Sequence, residues 1–313
     1  MAYILTVDNL SKTYKNGRKA LDHLTFNVRK GEILGFLGPN GAGKSTTINM
    51  LATLLKADEG KIVYFNNENL SLKAIKKKLG IVPQELAIYE DLSAFDNVKF
   101  FASLYGIKKA GLKEKVDQAL KKVGLEERKD DKASTFSGGM KRRLNIACAI
   151  AHEPQLIILD EPTVGIDPQS RNHILHSIKS LRDEGATIIY TTHYMEEVQQ
   201  ICDRVIIMDG GQVLLNDQLD AILETYSETN YQLSLDQPLP LELLDQIRQF
   251  PHILQLSQDD DYQLNIMMEA GTSLLNEILE LIIQSHVNIT GIQSRKKNLE
   301  DIFLLLTGKK LRD

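Results

Sequence analysis

Hydrophobic and polar positions divide the chain into stretches of different period. Residues 2–8 and 24–28 alternate, as strands with one covered face do. Residues 32–37, Glu-Ile-Leu-Gly-Phe-Leu, are apolar enough for a buried parallel strand. Residues 46–55 carry Ile48, Leu51, Ala52 and Leu55 on one side at helical spacing. A turn at Asp58-Glu59-Gly60, a strand over 61–65 and a turn at Asn66-Asn67 follow. A basic helix start over 73–78 leads into a strand at 79–82, which Pro83 ends.

From residue 93 the period becomes helical, over 93–105, 112–123 and 139–151. Ser93 is the expected N-cap of the first of these helices, with Asp96 in its first turn. The pattern predicts a helical subdomain, about residues 85–150, inserted into a strand-rich one. Strand character then returns in the continuous apolar run 156–159 and in 186–192, with helices expected over 168–184 and 195–202. Residues 204–215 read as a hairpin around Asp209-Gly210-Gly211. Beyond about 226 the expected order is strand 230–235, helix 241–250, strands 253–258 and 262–268 joined at 259–261, helix 273–284, strand 287–293 and helix 299–306. Up to that last strand the order βαββαβ matches a ferredoxin-like pattern. The chain is thus expected to be α/β, with one domain over 1–222 and a small α+β domain over 228–313.

The chemistry sits between these elements. Gly38-Pro39-Asn40-Gly41-Ala42-Gly43-Lys44-Ser45-Thr46 is a G-x-x-x-x-G-K-S phosphate-binding loop, flanked by strand and helix as that motif requires. Its glycines let backbone N–H groups close on phosphate oxygens, and the following helix adds the positive end of its dipole. Lys44 can reach the β- and γ-phosphates, and Ser45 can offer its hydroxyl to Mg²⁺. Asp160 and Glu161 end the 156–159 strand. Alternation sends adjacent side chains in different directions, so Asp160 can reach Mg²⁺ while Glu161 takes a proton from water. His193 follows the next buried strand, at the ligand edge of an α/β sheet. Ser137-Gly138-Gly139 ahead of a helix is either a plain cap or an anion site.

Composition narrows the reading. A hydrophobic fraction of 42% and a charged fraction of 25% are those of a globular protein, and a net charge of −5 weakens a nucleic-acid role. No apolar run is long enough for a membrane span, and the first residues lack the basic start and long apolar core of a signal peptide. A cytosolic chain is expected, reaching a membrane only through a partner. Cys148 and Cys202 have no ligand spacing and are expected to be buried hydrophobes.

Taken in order, these motifs resemble the nucleotide-binding subunits of ATP-binding cassette (ABC) transporters over about residues 3–220. The resemblance implies that Tyr14 stacks on adenine, that 38–46 is the Walker A loop, and that Gln84 is the Q-loop glutamine. It implies further that Ser137-Gly138-Gly139-Met140-Lys141 is the signature loop, Asp160 and Glu161 the Walker B aspartate and catalytic glutamate, Val164-Gly165-Ile166-Asp167 the D-loop, and His193 the switch histidine. The signature loop departs from the common form at Phe136 and Met140. With the Leu299-Glu300-Asp301-Ile302-Phe303-Leu304-Leu305-Leu306-Thr307-Gly308 segment, it resembles exporter subunits whose permease is a separate chain. The family implies a P-loop ATPase cassette with a mixed sheet, an antiparallel β subdomain and a helical insertion. It also implies ATP and Mg²⁺, the latter held by Ser45, Gln84 and Asp160. Two cassettes would sandwich two ATPs head to tail, and one P-loop per chain then requires a homodimer or a paralogous partner. The chain would be peripheral at the inner face of the membrane, and the substrates implied are drugs, ions or antibiotics. A soluble ABC ATPase acting on the ribosome or DNA is the alternative.

Overall fold

The computed structural model describes residues 2–107, 109–226, 229–260, 262–269, 274–296 and 298–308. Of the expected features, Ser273 at a helix start and Asp261 in a turn lie outside the described residues. Contacts group the chain into two units, residues 1–219 with 307–313, and residues 220–306.

The first unit opens with strands β1 (Tyr3–Thr13), β2 (Lys19–Arg29) and β3 (Ile33–Leu37), then helix α1 (Lys44–Leu51), β4 (Glu59–Tyr64), α2 (Leu72–Lys76) and β5 (Leu79–Val82). Helices α3 (Ala94–Leu104), α4 (Lys109–Lys122) and α5 (Gly138–Ile150) form the insertion. The chain continues through β6 (Leu156–Asp160), α6 (Pro168–Asp183), β7 (Thr187–Thr191), α7 (Met195–Ile201), β8 (Arg204–Asp209) and β9 (Gln212–Gln218). Strands β2-β1-β4 make an antiparallel sheet. The larger sheet runs β5-β6-β7-β3-β8-β9, parallel through β8, with β9 antiparallel at its edge. Its strands β3, β6 and β7 are buried almost throughout, as their continuous apolar runs predict.

Helix α1 and strand β4 differ from the sequence pattern for local reasons, and Asp259 and Asp260, expected in a turn, belong to β11. Helix α1 stops at Leu51 instead of reaching residue 55. Thr53 turns left-handed, its N–H donates to the Met50 carbonyl, and the Leu54 N–H donates to the Asn49 carbonyl, a Schellman ending that a β-branched residue rarely makes. Glu59 and Gly60 belong to β4 rather than to a turn, because pairing with β1 extends back to Ser11 opposite Glu59. Asp58 anchors that end by accepting from the Thr13 N–H at 2.8 Å and the Lys12 ammonium at 2.5 Å.

One buried ion pair joins the two sheets. Glu32, just ahead of β3, accepts from the Arg204 guanidinium through both carboxylate oxygens, at 2.6 and 3.1 Å. The same guanidinium donates to the Asn27 carbonyl on β2 and to Asn216 Oδ1 on β9, each at 2.5 Å. Both charges are almost fully buried, which is tolerable only because the remaining polar atoms are also bonded.

In the second unit lie α8 (Leu219–Thr225), β10 (Thr229–Leu235), α9 (Leu241–Arg248), β11 (Ile253–Asp260), β12 (Gln263–Met268), α10 (Leu275–Gln284), β13 (Ile289–Lys296) and α11 (Leu299–Thr307), with α8 and α11 at its boundaries. Its antiparallel sheet has the order β11-β12-β10-β13. Helix α9 joins β10 to β11 across β12, and α10 joins β12 to β13 across β10, two interleaved βαβ units of the ferredoxin-like type. Alternate residues Leu233, Leu235, Leu264, Ile266 and Met268 point to a core with Leu244 and Ile247 of α9 and Ile278 and Ile282 of α10. Helix α8 has no counterpart in the expected pattern. Among the described residues no helix is long and apolar enough to cross a membrane, and both cysteines are buried and unbridged.

Candidate functional site

Parallel pairing places the chemistry on one edge. Strands β5, β6, β7 and β3 are consecutive neighbours running the same way, so Gln84, Asp160, Glu161, His193 and the 38–46 loop all lie at or just beyond carboxyl ends of adjacent strands. That edge is where open α/β sheets bind ligands. A cavity of about 420 Å³ opens there, lined by Tyr14, Arg18, Ala20, Asn40, Gly41, Gly43, Lys44, Ser45, Thr46, Gln84, Asp160 and Glu161.

The loop needs its glycines. Gly41 and Gly43 have φ of 82° and 108°, and a Cβ on Gly43 would meet the Ala20 carbonyl at 2.6 Å. Gly38 and Pro39 contribute carbonyls, which accept from Lys44 Nζ at 2.6 and 3.1 Å. Ala42 is buried, and its carbonyl accepts from the Gly211 N–H. The Tyr14 hydroxyl lies 3.1 Å from Thr46 Oγ1, and Arg18 Nη2 donates to the Gly41 carbonyl at 3.2 Å.

Thr191, the last residue of β7, organises the acidic pair. Its hydroxyl donates to Asp160 Oδ1 at 2.6 Å, and its Oγ1 and carbonyl receive the Glu161 N–H at 3.0 and 3.1 Å. Glu161 adopts a φ of 46°, a left-handed conformation costing about 1–3 kcal/mol, held in place by those bonds. The turn changes the expected geometry. Strand alternation stops at Asp160, so both carboxylates line the same cavity instead of diverging. Glu161 Oε2 accepts from Gln84 Nε2 at 3.1 Å, and Oε1 lies 3.3 Å from His193 Nδ1.

Burial pushes the Lys44 ammonium below its usual pKa, against the pull of Glu161 and Asp160. Burial also raises Asp160, with the Glu161 charge adding, while the Thr191 hydroxyl and Lys44 oppose it. Both shifts mark a partly desolvated site.

Ser137, Gly138, Gly139 and Asp167 do not line this cavity. Ser137 caps α5, its Oγ accepting from the Met140 N–H at 3.3 Å, and Asp167 caps α6, accepting from the Ser170 N–H at 2.9 Å. The two caps are packed together. A Cβ on Gly139 would collide with the Ser170 side chain. Arg142 on α5 donates to the carbonyls of Pro83 and Gln84 at 3.1 and 2.7 Å, tying this helix to the backbone of Gln84.

Sequence reasoning missed Arg18, Ala20, Arg142 and Thr191. Arg18 and Ala20 follow Tyr14 closely and could have been found from that spacing. Arg142 and Thr191 are defined by contacts across long stretches of chain, which leave no local signal.

Fold and site together define a P-loop nucleotide-binding ATPase whose helical insertion follows β5, the edge strand opposite antiparallel β9. Residues 21–164 match the family model described as ABC transporter. The linearmycin resistance ATP-binding protein LnrL of Bacillus subtilis (strain 168) is 42% identical over 316 residues, with 99% of this chain and 100% of that protein covered. The doxorubicin resistance ATP-binding protein DrrA of Mycobacterium tuberculosis (strain CDC 1551 / Oshkosh) is 31% identical, covering 97% of this chain and 93% of that protein. Among solved structures, the dimeric ATP-binding cassette MJ0796 in a post-hydrolysis state with ADP and Pi superposes with a TM-score of 0.60 at 28% identity, covering 69% of this chain and 98% of that one. The chain belongs to the ATP-binding subunits of ABC transporters, ATPases coupled to transport.

Proposed function

We propose that this chain powers an exporter of a drug or antibiotic-like substrate, through ATP held between two cassettes. One observation carries the reading: Lys44, Ser45, Gln84, Asp160 and Glu161 share one cavity, while the Ser137–Gly139 loop stands outside it. A nucleotide in that cavity leaves its outer side for a second cassette to cover. The signature residues of that second copy would face the γ-phosphate, with Asp167 and its loop beside them.

Within one site, Tyr14 stacks on the base and the 38–46 backbone cradles the phosphates. Lys44 turns from the carbonyls it now holds to the β- and γ-phosphates. Glu161 orients and deprotonates the attacking water, and His193 contacts the γ-phosphate. Their 3.3 Å separation lets each hold the other's orientation. The donor set suits Mg²⁺: a hydroxyl at Ser45, a carboxylate at Asp160 and an amide at Gln84 are hard oxygen ligands that leave positions for phosphate and water. When bound, the ion neutralises charge on the β- and γ-oxygens. Its charge would also offset the burial that raises Asp160.

The helical insertion, about residues 85–150, receives the permease. Phe95, Phe100, Ile107 and Leu112, with Lys99 and Lys113, line an open groove of about 920 Å³ there. Gln84 enters the insertion, so loss of the γ-phosphate is communicated to that groove. Through this partner the chain sits at the inner face of the membrane. A second domain from about residue 228 is accessory to the cassette. The names of the linearmycin and doxorubicin relatives favour export over a ribosomal or DNA target. Co-expression with a membrane permease tests the reading. Co-purification, with ATP hydrolysis that a transported antibiotic stimulates, supports it, and a chain that hydrolyses ATP but binds no membrane partner rejects the exporter role.

A further inference from the structure

Glu197 is a buried carboxylate outside the cavity with three hydroxyl donors gathered on one oxygen. It lies on α7 and is only 2% exposed. Its Oε2 accepts from three hydroxyls: Thr163 at 2.9 Å, Tyr190 at 2.7 Å and Thr192 at 2.8 Å. Its other oxygen lies 3.4 Å from Arg171 Nε, and the Arg171 guanidinium rests 4.4 Å from the centre of the Tyr194 ring.

Two of these partners, Thr163 and Thr192, sit on different loops, and Tyr190 belongs to β7. Thr163 opens the turn that leaves Glu161 toward Asp167, and its carbonyl accepts from the Ile166 N–H. Thr192 immediately precedes His193, and its Oγ1 also accepts from the Tyr194 N–H at 3.0 Å. Thr163 and Thr192 are completely buried. A hydrophobic side chain at 197 would fill the same space with less desolvation cost. A charge retained here draws three donors to one oxygen and thereby fixes the two loops relative to each other.

We propose that Glu197 is a positioning residue that locks the turn bearing His193 to the 163–167 turn, so that the two move as one. This rests on the reading that His193 contacts the γ-phosphate in the chain's own site and that residues 164–167 meet the second cassette. Glu197 then carries the state of one nucleotide toward the other without touching either.

The test uses the full chain, with each tie cut separately. Thr192→Val and Thr163→Val each remove one donor and preserve shape. Both are expected to lower kcat for ATP hydrolysis roughly ten- to hundredfold with little change in KM. The double variant should lose no more than the worse single one, because either cut separates the loops. Thr163→Ser and Thr192→Ser restore the hydroxyl and should restore kcat. Glu197→Gln, of the same size, should fall with the valine variants. Thermal melts identify the folded variants, and kcat is compared among those. Valine variants that stay folded and keep wild-type kcat would overturn the proposal, as would losses that simply multiply in the double variant. A wild-type chain that does not hydrolyse ATP, or a Glu161→Gln variant that hydrolyses it normally, would instead overturn the parent reading.

Discussion

Gln84 donates its side-chain amide to Glu161 Oε2 at 3.1 Å, across 77 residues of sequence. The residue at the mouth of the helical insertion therefore touches the carboxylate proposed to activate water. Replacing that carboxylate by an amide separates binding from chemistry. Glu161→Gln should still bind ATP, because Lys44 and the loop backbone remain. Hydrolysis should fall by about 10²–10⁴, the usual worth of a general base. Nucleotide binding by fluorescence and phosphate release on the same preparation check both halves.

The Ser137 loop lies off the cavity of its own chain. Ser137→Arg should therefore leave ATP binding to the monomer intact and abolish the ATP-dependent dimer. Light scattering of this variant in a Glu161→Gln background, with and without ATP, reads the outcome. A normal dimer would refute the two-chain site.

Gly139 is pressed against Ser170. Gly139→Ala should force α5 and α6 apart and cost about 1–3 kcal/mol, as overpacking does. Adding Ser170→Gly removes the obstructing side chain and should return much of the loss. Urea denaturation of the two single variants and the double variant measures the coupling.

His152 gives the fold a pH dependence. Its ring stacks on Tyr105 with centroids 3.5 Å apart, and Nε2 lies 2.8 Å from the Leu79 carbonyl. Burial lowers its pKa from 6.5 to about 4, against the pull of that carbonyl. Between those values the unfolded chain binds the proton more readily than the folded one. Stability from this group is complete above about pH 6.5 and is lost as pH falls through about 4. The loss is of order 3 kcal/mol. Denaturation midpoints from pH 7 to 4 should show this slope, and His152→Gln should flatten it.

The sequence was most legible where one short segment carries both signal and cause. The 38–46 loop is such a case, because phosphate cradling needs small residues and a lysine at fixed spacing. The apolar runs ending in Asp160 and Thr192 are others, since a strand covered on both faces cannot be polar. The end of α1 was illegible, because Thr53 adopts a backbone conformation its side chain disfavours and neighbouring carbonyls hold it there. Helix α8 leaves no clear signal, because 7 residues carry too little period to register. Arg142, Thr191 and Glu197 are ordinary residues in their own segments. The partners of Arg142 and Thr191 lie 30 or more residues away, as with Arg142 and Pro83, 59 apart, and Glu197 joins nearby Tyr190 and Thr192 to Thr163, 34 residues away.

The Arg204–Glu32 pair has a consequence at the far end of the sheet. One guanidinium grips β2, the start of β3 and β9. Tyr14 hangs from the sheet that contains β2, and the phosphate loop hangs from β3. On the proposed reading of Tyr14 and the loop, the distance from base contact to phosphate contact is set by that brace, and the cavity works as a gauge of fixed length. A nucleotide must fit the gauge, because the gauge does not stretch to fit the nucleotide.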